Sequence, residues 1–542
     1  MRIKSLFFFL LVSLSAFGQH KTETQDLIPA VNPEAIKAMM SFLADDLLAG
    51  RQPGTKGFEL ASRYIQTQFM AMGLKPGVKG SFIQPVPLRK GIVRREESKF
   101  ILEDGSSRIE LSYGKEFILS PYIAGEQAEV TAPLVFAGFG VSAPELGYDD
   151  YNGIDVRGKI VVVFDQAPET FGNNERAYFS SPNIKYQEAL TRGAVGVINI
   201  GMSRRTSWDA MVRRNAQGSF KWLDKANHPN NAFEGLKAIV TLNSAYNEKL
   251  FKRSGKDLTK VYNTLKKGKP QSFPLEINAH LKVSTSISHI ESSNLIGLIP
   301  GSDPTLKDEY IVYVAHLDHF GIGNPVKGDS IYNGAHDNAS GVAIVLEIAK
   351  AFQALPVAPK RSIVVAIVTA EESGLLGSDY FVSNPPVKGK IVANLALDMP
   401  FFFHPILDIV PYGFQHSSLS KQVEEAARIL KLKISPDPFP EQVVFVRSDH
   451  FSFIKKGIPA LFIKSGFMTT SSDAVDRAKS DVAWRSTTYH TPQDDMGQAF
   501  DFNGAATHVK VNFLIGLLTA NDTDRPQWNQ GDFFGEKFDT SK

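Results

Sequence analysis

The chain has 542 residues, of which 43% are hydrophobic and 21% are charged. This composition excludes a fibrous or disordered protein, and a chain of this length is expected to form two or more domains. The formal net charge of +2 gives no electrostatic basis for binding nucleic acid. The sequence contains no Cys, so disulfides are excluded and any metal site must use His, Asp and Glu.

Residues 1–18 have the order of a secretory signal peptide. Arg2 and Lys4 precede a short apolar run, and the small residues Ala16 and Gly18 follow it. The run is too short to span a membrane, and no later stretch is long and uncharged enough to do so. We therefore expect export to the periplasm or the medium, without an integral membrane segment. A buried N-terminal helix is the alternative interpretation.

Two amphipathic helices are predicted after this segment. Apolar residues recur at helical spacing over residues 33–48 and again over 56–72, and Gly73 ends the second pattern. Short strand-like runs follow at 82–88 and 99–102.

The segment from about 132 to 241 is predicted to form a compact β/α unit. Strand-like runs at 134–141, 159–164 and 194–199 surround a helical pattern at 184–192. The segment contains no constellation of His and carboxylates, so we expect no catalytic residue in it. The stretches GFGVSAPELGYDDYNGIDVRGKIVVVF and KYQEALTRGAVGVINI resemble a protease-associated (PA) domain, a lid module inserted in many exported peptidases.

Strands and helical patterns alternate through the remainder of the chain. The predicted strands are 294–300, 311–315, 361–369, 391–397 and 459–463, and the predicted helices are 342–352, 419–430 and 505–518. This alternation predicts an α/β fold with a mostly parallel or mixed sheet flanked by helices. The polar C-terminal tail is expected to be loosely held.

Potential metal ligands lie just beyond the predicted strands or at the start of the next helix. They are His316, Asp318, Asp337, Glu371, Glu372, Asp398 and His490. Each motif alone has an ordinary structural explanation, such as a surface hydrogen bond, a solvated acidic pair or a helix cap. Together they are expected to meet at one edge of the sheet. Imidazoles with carboxylates suit Zn²⁺, and a carboxylate able to bridge is typical of two-metal hydrolases.

Catalytic roles can also be assigned to side chains in and beside these motifs. Glu371 and Glu372 can divide their tasks, so that one binds metal while the other acts as a general base on an activated water. Tyr489, beside an expected ligand, can donate its hydroxyl to a developing oxyanion.

The motifs HLD, GAHDNASGVA, TAEESGLLGS, NLALDM and YHTPQDD resemble those of the M28 family of zinc aminopeptidases. The resemblance covers most of residues 285–520, and GRQPGTKGFELASRYI is similar to the N-terminal segment of that family. It implies a zinc-dependent exopeptidase fold with an inserted lid. The implied division is a signal peptide at 1–18, a discontinuous catalytic domain at 26–90 and 286–525, a PA-like lid domain at 91–285 with its core at about 130–245, and a polar tail at 526–542.

The resemblance also implies how two zinc ions would be held. Asp337 would bridge the two ions. His316 and Asp398 would complete the binding of one ion, and Glu372 and His490 would complete the binding of the other.

The resemblance implies catalytic roles as well. Glu371 would be the general base, Asp318 would orient the first histidine ligand, and Tyr489 would help to stabilise the tetrahedral intermediate. The peptide bond between Asp337 and Asn338 would be cis.

Other polar and aromatic residues near the motifs are not assigned to the ligand set. His319 and His336 are expected to support the ligands or to be exposed, and Asp449 is expected near the site. The run Phe401–Phe403 departs from the small Gly-containing turn of the family. It either contacts the substrate, which would favour hydrophobic residues, or forms a packed apolar turn.

The sequence therefore predicts an exported dinuclear zinc aminopeptidase that acts on peptides, with Glu371 as general base. Three alternatives stay open. They are a single-zinc glutaminyl cyclase, a carboxypeptidase if a basic pocket faces the C-terminus of the substrate, and a non-catalytic binding protein on a peptidase fold. Neither the preferred N-terminal residue nor the oligomeric state follows from the sequence.

Overall fold

The computed structural model describes residues 28–105, 107–202, 207–400, 403–470 and 476–539. The predicted signal peptide and two members of the aromatic run, Phe401 and Phe402, lie outside these residues. Among the described residues, no helix combines the length and the apolar character needed to cross a membrane.

The strands of the described residues are numbered in chain order. They are β1 Lys75–Pro76, β2 Ile83–Val93, β3 Lys99–Asp104, β4 Ser107–Glu110, β5 Phe117–Leu119, β6 Gln127–Ala137, β7 Ser142–Ala143, β8 Tyr148–Asp149, β9 Ile160–Phe164, β10 Gly196–Ile200, β11 Ser219–Trp222, β12 Ala238–Leu242, β13 Ser272–Ile299, β14 Glu309–His316, β15 Gly321–Val326, β16 Asp329–Tyr332, β17 Ser362–Val368, β18 Lys390–Ala396, β19 Asp408–Tyr412, β20 Lys433–Ile434 and β21 Ala460–Ser465.

The α-helices are numbered in the same way. They are α1 Pro33–Leu43, α2 Lys56–Ala71, α3 Asn173–Phe179, α4 Pro182–Thr191, α5 Trp208–Ala216, α6 Asn247–Phe251, α7 Leu258–Lys266, α8 Gly341–Gln353, α9 Leu376–Ser383, α10 Ser420–Leu430, α11 His450–Ile454, α12 Arg477–Thr487, α13 Phe502–Asn521 and α14 Phe533–Phe538.

A mixed sheet with helices on both faces forms the part of the fold that carries the predicted ligands. Its strand order is β11–β2–β13–β17–β14–β18–β21–β19–β20, and β17, β14, β18 and β21 are parallel. Along β14, Ile311 and Tyr313 pack in the core that contains α8 and α13, whereas Val312 and Val314 pack with residues of α9 and α11. Both faces of the strand are therefore buried, as its continuous apolar run predicts. The predicted fold class is confirmed.

A second sheet is formed mainly by the segment that the sequence assigns to a lid. Its strand order is β4–β3–β13–β6–β9–β10–β12–β5. Strand β13 is 28 residues long and belongs to both sheets. Its first half pairs with β3 and β6, and its second half pairs with β2 and β17. The sequence indicated only the last part of this strand, and the proposed domain boundary between residues 285 and 286 falls inside it.

The expectation of a loosely held C-terminal tail is wrong for the residues that the structure describes. Helix α14 lies in this tail, and the Phe534 side chain is fully buried. The Phe534 ring lies 5.6 Å from that of Phe445, and the indole Nε1 of Trp528 donates to the carbonyl of Gly457 at 2.9 Å. Burial of these aromatic side chains holds the tail against the rest of the protein.

Candidate metal centre

Adjacent parallel strands bring most of the predicted ligands to one edge of the sheet. His316 is the last residue of β14, while Asp398 follows β18 and the pair Glu371 and Glu372 follows β17. Because β14 lies between β17 and β18 and all three are parallel, their carboxyl ends meet. Asp337 reaches the same edge from the turn that leads into α8.

The first ligand group consists of His316, Asp337 and Asp398. The Nε2 atom of His316 lies 3.3 Å from Asp337 Oδ1 and 3.7 Å from Asp398 Oδ1. All three residues have a ligand atom within 4.8 Å of the others, so they could hold one ion. The side chain of His316 is buried.

The second ligand group consists of Asp337, Glu372 and His490. The Nε2 atom of His490 lies 3.1 Å from Asp337 Oδ2 and 3.4 Å from Glu372 Oε2. The two oxygens of Asp337 therefore face two different imidazoles, which is the arrangement that a bridging carboxylate requires.

Several ligand atoms of the two groups are buried without a hydrogen-bond partner, which favours a bound metal ion. The Nε2 atoms of His316 and His490 and the Oδ1 atom of Asp398 are buried, and none has a hydrogen-bond partner among the described residues. An unpaired buried polar atom costs about 1–3 kcal/mol. Coordination would satisfy all three atoms, and imidazole nitrogen with carboxylate oxygen is a donor set that Zn²⁺ accepts.

His319 lies at the second ligand group, although the sequence analysis left it outside the ligand set. Its imidazole is buried, and Nδ1 is 2.8 Å from Glu372 Oε1. His319, Asp337 and Glu372 have ligand atoms within 4.8 Å of one another, the spacing of a metal-binding group. Strand β14 ends at His316, so strand alternation could not indicate the direction of this side chain. We interpret His319 as the partner of the Glu372 oxygen that does not face His490.

Replacing His319 with Ala is expected to weaken the second site while leaving the first intact. Loss of the contact with Glu372 should raise the dissociation constant of one ion by about 10–100-fold, the usual effect of losing a residue that orients a ligand. Zinc titration with a competing chelator measures this change. His289→Ala, an exposed position on β13, is the matched control, and equal affinities for both variants would contradict this interpretation.

The Asp318 carboxylate forms hydrogen bonds with the main chain of Glu371 and Glu372 but not with the His316 imidazole. Its two oxygens accept the main-chain N–H groups of Glu371 at 3.0 Å and Glu372 at 3.3 Å. The His316 Nδ1 atom lies 3.9 Å from the carboxylate but 3.1 Å from the main-chain oxygen of Asp318. The carbonyl therefore orients the imidazole, so that Nε2 faces the other ligands.

Asp494 fixes the bridging residue, a role that the sequence did not indicate. Its carboxylate accepts the main-chain N–H groups of His336 and Asp337, each at 2.9 Å. The peptide bond between Asp337 and Asn338 is cis, as expected. The Asn338 side chain donates to the carbonyl of Leu397 at 2.9 Å, which ties this turn to the strand that precedes Asp398.

Arg51 ties together the two loops that carry the ligands. Arg51 is 1% exposed, and its guanidinium donates to the main-chain oxygens of Leu317 at 2.8 Å, Asn333 at 2.6 Å and Gly334 at 3.1 Å, and to that of Leu43. Burial lowers its pKa to about 10, while the site carboxylates oppose that shift. Arg51 thus supplies a fixed positive charge beneath an acidic site.

Replacing Arg51 with Lys is expected to lower the free energy of unfolding by about 3 kcal/mol. An ammonium cannot reproduce the planar set of donors, so at least two buried carbonyls lose their partner. Urea denaturation of the metal-free protein measures the change independently of the ligands. Arg63→Lys on the exposed face of α2 is the control, and a loss below about 1 kcal/mol would show that the loops do not depend on this guanidinium.

The other residues singled out from the sequence lie in or around the site. The Tyr489 ring stacks on that of His490 with centroids 3.6 Å apart, and burial, reinforced by the charges of Asp337 and Glu372, raises the pKa of its phenol. Tyr489 thus keeps its proton and can donate it in a hydrogen bond. Asp449 is buried near the ligands, and burial raises its pKa to about 7.

Two residues flanking the ligands have packing contacts. The buried ring of His336 lies 4.9 Å from that of Phe403 and 5.1 Å from that of Trp484. Phe403 also stacks on Phe500 at 5.1 Å. For Phe403, the described member of the aromatic run, these contacts favour the packed apolar turn over a surface that contacts substrate.

Comparisons with known sequences find similarity in the part of the chain that carries the site. Residues 294–513 match the family model described as peptidase family M28. The chain is 27% identical over 249 residues to a probable leucine aminopeptidase 2 of Aspergillus fumigatus, covering 43% of this chain and 46% of that protein. It is 30% identical over 210 residues to leupeptin-inactivating enzyme 1 of Streptomyces exfoliatus, covering 38% of this chain and 41% of that protein. The chain thus spans about half the length of these curated relatives, or less.

A solved structure extends the similarity of the fold to nearly the whole chain. The aminopeptidase from Aneurinibacillus sp. strain AM-1 aligns with a TM-score of 0.54 at 21% identity, covering 92% of this chain and 97% of that one.

Proposed function

Because residues 294–513 match the model of peptidase family M28, we propose that the protein is an exported dinuclear zinc aminopeptidase that removes N-terminal residues from peptides. The observation that supports this best is the position of Asp337, whose two oxygens lie 3.3 Å and 3.1 Å from the imidazoles of His316 and His490. Export is supported by the signal-peptide pattern of residues 1–18.

Two sets of residues would hold the metal ions. His316 and Asp398 would bind one ion, Glu372 and His490 the other, and Asp337 both. A bound zinc ion lowers the pKa of its water to about 7 and polarises a carbonyl oxygen.

The remaining residues supply proton transfer and orientation. Glu371 accepts a proton from the nucleophilic water and delivers it to the leaving amine nitrogen, while Asp318 fixes its main chain. The protonated phenol of Tyr489 donates a hydrogen bond to the oxygen of the scissile carbonyl as negative charge develops on it.

The middle segment, residues 91–285, is proposed to be a lid. Its helix α5 reaches the site, because the Arg214 guanidinium donates to the carbonyl of Glu372 at 3.2 Å. A cavity of about 190 Å³ separates this segment from the ligands and is lined by Arg214 and Phe220 on one side and by His319 and Glu372 on the other. This space can take part of a peptide between lid and catalytic edge.

The test is the metal content of the mature protein together with its activity on aminoacyl-nitroanilides. We expect about two zinc ions per chain, loss of hydrolysis after chelation, and recovery when zinc is restored. One zinc ion with cyclisation of an N-terminal glutamine would favour a glutaminyl cyclase, and release of C-terminal residues would favour a carboxypeptidase. A chain without metal or turnover would be a binding protein on a peptidase fold.

A further inference from the structure

The C-terminal segment of residues 527–539 contacts both the catalytic domain and the proposed lid. It contains α14, whose first turn is fixed by the Asp532 side chain. That carboxylate accepts the main-chain N–H groups of Phe534 at 3.0 Å and Gly535 at 2.9 Å. The proposed mechanism does not use this segment, and the match to peptidase family M28 ends before it, at residue 513.

The first set of contacts joins this segment to the catalytic domain. The main-chain N–H of Asn529 donates to the carbonyl of His416 at 2.9 Å. The Asp532 carboxylate lies 2.5 Å from Nδ1 of the buried His416 imidazole. The ring of Phe534 lies 5.3 Å from that of His416 and 6.2 Å from that of Phe451. The segment is thus anchored by a charged hydrogen bond and by buried aromatic pairs.

The second set of contacts joins α14 to α3 of the proposed lid. The Phe533 ring lies 5.7 Å from that of Tyr178 and 6.3 Å from that of Phe179. The Phe538 ring lies 5.8 Å from that of Tyr178. Tyr178 and Phe179 are buried and are the last two residues of α3. Aromatic rings of the C-terminal helix therefore cover the end of a lid helix at distances where ring pairs attract each other.

Lys537 adds a positive charge to this contact. Its ammonium lies 3.2 Å from Oε1 of Glu145 in the lid. It also lies 4.8 Å from the centroid of the Tyr178 ring and 5.1 Å from that of the Phe179 ring, within the range of a cation–π attraction. Because an exposed ion pair contributes little by itself, the rings and the ammonium together join the two helices.

His416 of the catalytic domain contacts the lid as well as the C-terminal segment. Its Nε2 atom lies 3.3 Å from Nδ2 of Asn174 in α3 and 3.0 Å from Nε2 of Gln415. Since the Asp532 carboxylate accepts hydrogen bonds, Nδ1 carries the proton and Nε2 is the acceptor for these amides. The same imidazole therefore binds the C-terminal segment through one nitrogen and the lid through the other.

The lid and the catalytic domain are separated by an open space next to these contacts. A cavity of about 700 Å³ is lined by Asn173 and Ala177 of α3 on one side and by Phe414 and Phe445 on the other. Domains without a large, closely packed interface are expected to move relative to each other. The apolar core of the lid does include Phe534, so the C-terminal helix supplies packing where the two parts leave a gap.

We propose that residues 527–539 form a strap that fixes the lid on the catalytic domain. The strap is a connection between the two parts in addition to β13, the strand that they share. The proposal rests on the proposed function, in which residues 91–285 are a lid, and adds a means of holding that lid at the metal centre. Release of the strap would let the lid move about β13, so the distance between the two parts would vary.

The experiment measures this distance. Because the chain contains no Cys, spin labels can be attached to two introduced cysteines. Lys252→Cys in the lid and Glu424→Cys on α10 place them at exposed positions. Pulsed electron paramagnetic resonance then gives the distribution of distances between the labels. We expect a single narrow distribution when the strap has its natural sequence, and a broad one would overturn the proposal.

A variant with Phe533→Ala, Lys537→Ala and Phe538→Ala removes the side chains that face the lid and keeps the buried Phe534. We expect the distribution to become at least twofold wider or to gain a second distance. If these side chains only pack locally, the distribution stays as it was, which would overturn the proposal. Glu536→Ala, at an exposed position of the same helix, is the matched control and should keep the narrow distribution.

Amide hydrogen exchange provides a second measurement on a milder variant, in case the triple variant does not fold. Lys537→Ala alone should make the amides of α3 exchange at least threefold faster and leave those of α13 unchanged. Equal exchange of α3 in this variant and in the wild type would contradict the strap. Neither measurement needs metal or turnover. A loosened lid in a protein without peptidase activity would still support the strap, and an unchanged lid in an active enzyme would overturn the strap alone.

Discussion

Glu371→Gln is expected to lower kcat by about a thousandfold or more while both metal ions stay bound. The substitution removes the proton acceptor but keeps the size of the side chain and the main-chain N–H that Asp318 accepts. A positioned general base contributes about 10²–10⁴-fold to rate, and the amide cannot replace it. Steady-state hydrolysis of an aminoacyl-nitroanilide and zinc analysis of the same sample test both parts of the expectation.

The variant Glu372→Gln is the comparison for this experiment, because Glu372 is proposed to bind metal. Glu372→Gln should reduce zinc content, because the side chain of Glu372 faces His490 at 3.4 Å. If Glu371→Gln retained more than a tenth of wild-type kcat, Glu371 would not be the base. Loss of metal from that variant would instead place Glu371 among the ligands.

Asp337→Asn is expected to have the second large effect, because one residue serves both ligand groups. An amide offers one oxygen and no negative charge, so it cannot face His316 and His490 in the way that the carboxylate does. We expect no more than one zinc ion per chain after dialysis and a fall in kcat/KM of at least about a thousandfold. Metal analysis and the absorption spectrum of the cobalt-loaded protein measure occupancy without turnover.

Asp494→Asn is the control for Asp337→Asn, and we expect it to have a smaller effect on metal binding. It weakens the two hydrogen bonds that position Asp337 but leaves the carboxylate of Asp337 in place. A loss of about 10–100-fold in metal affinity is typical of such a change. Two firmly bound ions in Asp337→Asn would argue against a bridging role for this residue.

The side chains at the strand ends could be foreseen because their positions follow from a regular pattern. A buried parallel strand has a clear sequence signal, and polar residues at its carboxyl end meet those of its neighbours. His316, Asp398 and the pair Glu371 and Glu372 follow this pattern, and the structure brings them together. Their chemical roles stay predictions until the variants are measured.

The supporting contacts could not be foreseen, because they depend on irregular backbone. Arg51 binds four main-chain carbonyls, and a carbonyl acceptor has no sequence signal. The contacts of His319 and of the Asp318 main chain depend on the irregular segment that follows β14. Asp494 was visible in the YHTPQDD motif, but its partners are main-chain N–H groups of a distant turn.

The first half of β13 differs from these contacts, because its sequence does contain a strand pattern. Leu275, Ile277, Ala279, Leu281 and Val283 alternate with more exposed residues, which is the pattern of a half-buried strand. Polar residues between Thr285 and Asn294 separated this run from the apolar end of the strand. The two parts could therefore not be joined from the pattern alone.

The continuity of β13 restricts how the two sheets can move. Domains that open and close commonly rotate about a few loop residues. Here the chain crosses between the sheets as extended backbone, and eleven positions from Thr285 to Leu295 are paired with β2. A rotation at this crossing would have to bend a continuous strand between Ser284, the last residue paired with β6, and Thr285, the first residue paired with β2. We therefore expect any movement of the proposed lid to be limited by how far β13 can bend at this crossing.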